Sequence, residues 1–235
     1  MIDLPVAILA GGLATRLRPI TETIPKSLVE AAGEPFVAHQ LRLLAKEGVK
    51  HVVFCVGYLG EMIEEFVGDG ARFGLKVEYV FDGEKLLGTG GALKKALPKL
   101  GRAFMILYGD SYLDIAYAPV AQAFDKSGKQ GLMTVFRNQG RFDTSNVVFA
   151  EDRVICYSKK KRLPEMDYID YGLSVLKAEA LAAWPDDEPF DLALVLERLA
   201  EEDQLAGFEV TQRFYEIGSP EGLAAADQYL KGKMV

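Results

Sequence analysis

The run Val6-Ala7-Ile8-Leu9 narrows the choice of fold more than any other stretch, because it is short, wholly apolar and opens almost at once onto Gly11-Gly12. A run of that length and composition fits a strand buried on both faces, as in a parallel sheet. Gly11 and Gly12 lack the Cβ that would hold an anion away from the main chain, so their amides can turn toward a phosphate. Arg16, Arg18 and Lys26 follow, against one nearby carboxylate, Glu22. Arginine grips phosphate oxygens as a fork, and lysine acts as a compact point charge. The spacing is neither G-x-x-x-x-G-K-[ST] nor G-x-G-x-x-G, so neither of those nucleotide folds is implied. The structural alternative is a tight strand-to-helix turn with solvated charges.

Strand and helix signals then alternate. Pro35 suits a helix start, Val37, Ala38, Leu41, Leu44 and Ala45 follow the helical period, and Gly48 closes the element. Residues 51–56 read as a second buried strand, 59–67 as a helix, 76–81 as a third strand and 103–108 as a fourth. Before that fourth strand, Gly88-Thr89-Gly90-Gly91 opens a helix that Thr89 would cap, and the glycines would let a flat heterocycle approach the main chain. Such βαβ units predict an α/β, Rossmann-like sheet, mainly parallel, with helices on both faces. Beyond residue 116 the order loosens: a helix near 116–126, short strand-like runs at 131–136, 146–150, 153–158 and 168–176, and a helix at 191–201. Ser219 and Pro220 give a strong start to a last helix. We expect a single domain over residues 1–235, with a nucleotide-binding half (1–115) and a second half (116–235) extending the sheet.

The fourth strand ends in Gly109-Asp110-Ser111. Open α/β sheets keep their ligands at the carboxyl ends of strands, and hard divalent cations take carboxylate oxygens alongside substrate phosphates. Asp110 is therefore the candidate magnesium ligand. The net charge of -7 excludes a global basic footprint for nucleic acid, although it leaves room for a local cationic pocket. No apolar run approaches the length of a membrane span. Met1 to Pro5 carry no basic segment of a secretory signal, and Cys55 and Cys156 stand without C-x-x-C partners, so a cytoplasmic protein with free thiols is expected. His39 and His51 are isolated and read as structural.

Taken whole, Leu9 to Leu28 resembles the signature of the sugar-phosphate nucleotidylyltransferases, approximately L-A-G-G-x-G-T-R-L-x-P-x-T-x-x-x-P-K-x-L. The short bacterial members are the nearest in length. Ala14 stands where that family usually has glycine. The resemblance continues through Leu87-Gly88-Thr89-Gly90-Gly91-Ala92-Leu93, Gly109-Asp110 and Glu216-Ile217-Gly218-Ser219-Pro220-Glu221, where Glu216 replaces the family's usual aspartate. It implies that Leu9, Ala10, Gly11, Gly12, Leu13, Ala14 and Thr15, with Gly88, Thr89 and Gly90, bind a nucleoside triphosphate. It further implies that Arg16 and Lys26 are catalytic and that Asp110 and Glu216 hold Mg²⁺. For the sugar 1-phosphate it points to Asn146, Lys159, Asp170 and Gly172, with Lys159 directed at the phosphate. The implied reaction yields an NDP-sugar and pyrophosphate, with GTP and a heptose or mannose 1-phosphate as the favoured pair. Uridylyl transfer to an amino-sugar 1-phosphate is the alternative. The departures at Ala14 and Glu216 also admit a catalytically silent nucleotide-sensing subunit. Self-association is a further expectation from relatives.

Overall fold

A computed structural model describes residues 2–233; Met1, with the expectation placed on it, and the last two residues lie outside the described residues. In chain order the elements are β1 (Val6–Leu9), β2 (Glu30–Ala31), β3 (Glu34–Pro35), α1 (Phe36–Lys46), β4 (His51–Val56), α2 (Gly60–Val67), β5 (Lys76–Phe81), α3 (Gly88–Leu100), β6 (Ala103–Tyr108) and β7 (Ser111–Tyr112). They continue with α4 (Tyr117–Ser127), β8 (Gly131–Arg137), β9 (Val147–Ala150), β10 (Arg153–Tyr157), β11 (Tyr168–Lys177), α5 (Leu192–Glu201), β12 (Leu205–Val210), β13 (Tyr215–Glu216) and α6 (Pro220–Lys233).

Nine strands form one sheet in the order β5-β4-β1-β6-β11-β8-β12-β10-β9. The first four are mutually parallel, as the alternation of strands and helices predicts, while β11 runs antiparallel to both β6 and β8. The fold is therefore mixed α/β, parallel where βαβ units feed it and mixed beyond.

Side-chain alternation sends successive residues of each strand to opposite faces. Val6 and Ile8 join Val52, Phe54, Leu41, Leu44 and Ile63 in the core beneath α1 and α2. Ala7 joins Val53, Leu93, Ala96, Val195 and Leu196 in the core beneath α3 and α5. A third cluster, including Phe36, Tyr112, Ile217, Ala226 and Leu230, lets α6 clamp the short β7–β13 ladder.

Register fixes where the strands stop. Leu9 lies beside Cys55 on one side and Tyr108 on the other, and Val56 lies beside Phe81. Four loops therefore leave the same edge of the sheet side by side, carrying Ala10-Gly11, Gly57, Asp82 and Gly109-Asp110. The strand-to-helix turn considered for the first loop is not formed. Residues 10–29 instead wind through three one-turn 3-10 segments, Thr15–Leu17, Ile20–Glu22 and Lys26–Leu28.

Candidate active site

The loops after β1, β5 and β6, with the end of β4 and the start of α3, line a cavity of about 250 Å³. Leu9, Ala10, Gly11, Gly12, Ala14, Lys26, Gly88, Thr89 and Asp110 all line it. Its two ends differ in chemistry. At one end the Lys26 ammonium donates to Asp110 Oδ2 at 2.8 Å, with both side chains about one-fifth exposed. The Gly109-Asp110 turn is braced from beneath: buried Gln40 donates to the carbonyls of Tyr108 and Ser111 at 2.9 and 2.8 Å, and Ser27 Oγ donates to Gly109 O at 3.2 Å.

Glu216 reaches this end from over a hundred residues away through strand pairing. It lies opposite Ser111 in the β7–β13 ladder, and the Ile217 N–H donates to Asp110 O at 2.9 Å. A Cβ built on Gly218 would meet the Glu216 carboxylate, with Arg16 Nη2 at 2.9 Å and Asp110 Oδ2 at 3.4 Å. Arg16, Asp110 and Glu216 thus converge on a space that exists because residue 218 has no side chain. Glu216 is itself oriented by the Gly218 N–H and by the Ser219 hydroxyl, which donates to Oε1 at 3.1 Å. Ser219 in turn accepts the Gly222 N–H at 3.0 Å and caps α6.

At the other end the walls include Cys55, Leu86, Ala92 and Asp82. Burial pushes the Cys55 thiol up to about 12, which keeps it protonated and inert. Asp82 is buried and accepts the Leu87 N–H at 3.1 Å; burial raises its pKa, opposed by that hydrogen bond and by Lys95. The sequence reading missed Asp82 and Gln40. For Asp82 the signal was present, since an acid directly follows an apolar strand there, as Asp110 nearly does after β6.

Ala14 has φ 49° and ψ 43°, the left-handed conformation that glycine adopts at least cost. Thr21 Oγ1 donates to its carbonyl at 2.8 Å and helps hold it. Replacing the family's glycine therefore leaves the loop's left-handed turn in place. Leu13 is exposed, and Thr15 opens the first 3-10 turn.

The glycine-rich segment 88–91 requires a correction. The first helical residue of α3 is Gly88, and no side chain caps that end. Thr89 does not cap its own helix: it accepts the Leu192 N–H at 2.8 Å and donates to Asp191 Oδ1 at 2.9 Å, so it serves α5. The chain's own packing also requires these glycines. A Cβ on Gly90 would collide with the Phe190 ring, one on Gly91 would lie 2.5 Å from Glu188 O, and one on Gly88 (φ +68°) would lie 2.7 Å from Phe190 O. The close approach is to the chain's own residues 188–192.

The predicted second-half residues are not gathered on the cavity wall. Gly172 (φ +105°) lies beside the end of β6, where a Cβ would be 3.7 Å from Ser111 Oγ and 3.8 Å from Tyr108. Asp170 is partly buried, and burial pushes its pKa up to about 6 against the Gly172 N–H, which it accepts at 3.0 Å, and the Lys159 charge. Asn146 Oδ1 accepts the Asp170 N–H at 3.1 Å and braces two strands. Lys159 is paired with Asp191 at 3.1 Å. Among the described residues no cluster of three or more metal-ligating side chains occurs, and no helix is long and apolar enough to cross a membrane.

Comparison with known proteins follows the same lines. Residues 6–230 match the family model described as Nucleotidyl transferase. The mannose-1-phosphate guanylyltransferase catalytic subunit beta of Danio rerio is 29% identical over 219 residues, which is 91% of this chain and 61% of that protein. The N-acetylmuramate alpha-1-phosphate uridylyltransferase of Caulobacter vibrioides is 29% identical over 233 residues, 95% of each chain. The chain spans about half to three-fifths of the length of several curated relatives it matches, the Danio rerio protein among them. HddC from Yersinia pseudotuberculosis, solved in complex with GMP-PN, superposes with a TM-score of 0.79 over 97% of this chain and 100% of its own, at 24% identity, and shares the fold.

Proposed function

Because the chain belongs to the nucleotidyl transferase family, we propose that it condenses a nucleoside triphosphate with a sugar 1-phosphate, releasing pyrophosphate and an NDP-sugar. The observation that carries this reading is that the Lys26–Asp110 pair lines a cavity walled by Gly11 and Gly12, and that Arg16 and Glu216 approach Asp110 from beside that cavity, around Gly218. A sugar phosphate is already ionised near neutral pH, so its attack on the α-phosphorus needs no general base. The site must instead overcome repulsion between two polyanions and hold the reacting atoms in line. Lys26 is assigned to the α-phosphate, and Arg16 with the Gly11-Gly12 amides to the departing pyrophosphate.

The donor set at Gly218 suits a hard divalent cation, since one or two carboxylates plus substrate phosphates are the usual surroundings of Mg²⁺. Asp110 and Glu216 would hold it, and when bound it would neutralise charge on the phosphates during transfer. The sugar moiety is assigned to Asn146, Asp170 and Gly172, and its phosphate to Lys159.

GTP with a mannose or heptose 1-phosphate is the favoured pair. With the phosphates at the cationic end, the base falls against Leu86, Ala92 and Asp82. Guanine offers N1–H and N2–H₂ as adjacent donors to one carboxylate, whereas uracil offers a single N3–H between two carbonyl oxygens that a carboxylate repels. Uridylyl transfer to an amino-sugar 1-phosphate is kept as a second reading, supported by the uridylyltransferase relative that matches the chain almost end to end. Pyrophosphate release, measured with four nucleotides against several hexose, heptose and amino-sugar 1-phosphates in Mg²⁺, decides between them. We expect release with GTP and a mannose- or heptose-type phosphate. Nucleotide binding without release on every pair would favour a sensor and reject the enzyme.

A further inference from the structure

Helices α3 and α5 meet N-terminus to N-terminus, and each satisfies the other's free amides. Phe190 O, just before α5, accepts the Gly90 N–H of α3 at 2.9 Å. Thr89 of α3 accepts the Leu192 N–H of α5, and its hydroxyl donates to Asp191 Oδ1. Asp191 also caps α5 directly by accepting the Ala193 N–H at 2.9 Å. Two helix N-termini carry partial positive charge. Lys159 adds a full one, donating to Asp191 Oδ1 at 3.2 Å and Oδ2 at 3.1 Å. Asp191 therefore touches the α5 N-terminus and the Lys159 ammonium directly, and reaches α3 through the Thr89 hydroxyl.

A cap accounts for only part of this arrangement. Capping needs one side-chain oxygen, and asparagine or serine supplies it as well as aspartate. The second Asp191 oxygen is directed at Lys159, whose main-chain N–H donates to Glu197 Oε1 of α5 at 3.2 Å. Both ends of a flexible lysine are thus tied to one helix, and that helix is tied through Thr89 to the cavity wall. An ammonium has three donors, so two can stay on Asp191 while the third meets an incoming oxygen.

We infer that Asp191 is a positioning residue that holds the Lys159 ammonium in register with Thr89, so that the cation for the sugar phosphate is set relative to the bound nucleotide. The inference rests on the role proposed for Lys159. It makes α5 the link between the two halves of the site, and it gives the glycines of 88–91 their purpose: they allow the two helix ends to approach.

Steady-state kinetics with GTP and mannose 1-phosphate, or the pair that the release matrix selects, test it. Asp191→Asn keeps a capping oxygen and removes the charge. We expect the KM for the sugar phosphate to rise about tenfold, as for loss of a charge-assisted hydrogen bond, with the KM for the nucleotide and the Tm unchanged. Asp191→Ser, an uncharged cap of shorter reach, must give the same rise. Lys159→Ala must raise the same KM, and Asp191→Asn must add nothing in that background. An unchanged or lowered sugar-phosphate KM in both Asp191 variants, or effects that multiply with Lys159→Ala, overturns the inference. A Lys159→Ala enzyme with normal sugar-phosphate KM overturns the assignment of Lys159 instead, and the inference with it.

Discussion

Two glycine-containing loops edge the cavity, and they look alike in sequence but differ in what the glycines are for. At Gly12 a Cβ would find nothing within 4 Å, and its φ lies outside the left-handed region. Nothing in the fold therefore requires glycine there, and the bare main chain faces open space. At Gly88, Gly90 and Gly91 the space is already filled by residues 188–192. Gly11 of the first loop is held by the fold, since a Cβ on it would lie 3.0 Å from Gly57 N; Gly12 faces a space that the chain does not itself fill, whereas the glycines of the second loop make room for another part of the chain. A glycine pair after a strand is thus ambiguous until its neighbours are known, and the neighbours of the second loop lie about a hundred residues downstream.

The largest effect belongs to Lys26, beside the first loop: Lys26→Ala should lower kcat by about 10²–10³ fold while costing on the order of 1 kcal/mol in stability, because its partner Asp110 keeps some solvent contact. Near-normal turnover would remove Lys26 from the mechanism. Next is the contrast between loops. Gly90→Ala should cost about 3 kcal/mol through overpacking against Phe190, read as a Tm fall on the order of 8 °C. Gly12→Ala should leave the Tm within about 1 °C and raise the nucleotide KM. Equal Tm losses in both variants would break the distinction. The smallest effect is at Ala14, whose left-handed backbone costs an L-residue about 1–2 kcal/mol. Part of that is offset by the greater unfolded-state freedom of glycine. Ala14→Gly should therefore raise the Tm by roughly 1–2 °C, and a fall in Tm would show that the alanine side chain contributes packing.

Much of the first half was legible because its signals are local. Val6–Leu9, His51–Val56 and Ala103–Tyr108 are short, almost wholly apolar runs, and Lys76–Phe81 is a short β-branched and aromatic run with polar residues at its first and third positions; length and composition identify all four as strands. Asp110 could be placed at a strand end for the same reason. The remainder depended on long-range geometry. Insertion of β12 between β8 and β10, pairing of Glu216 with Ser111, and crossed capping of Thr89 with Asp191 each join residues far apart in sequence. Thr89 looked like a cap because it sits at the right place in its own helix. Asp191 carried the stronger signal, an aspartate directly before the apolar period of residues 192–199.

Asp110 and Glu216, brought together from positions over a hundred residues apart, are proposed to act together on one phosphorus. Single-turnover pyrophosphate release by Asp110→Asn and Glu216→Gln, with nucleotide binding measured on the same samples, tests this most directly. We expect nucleotide binding within a few-fold of the parent and release slowed by about 10²-fold or more in each variant. Release at the parent rate in either variant would contradict it.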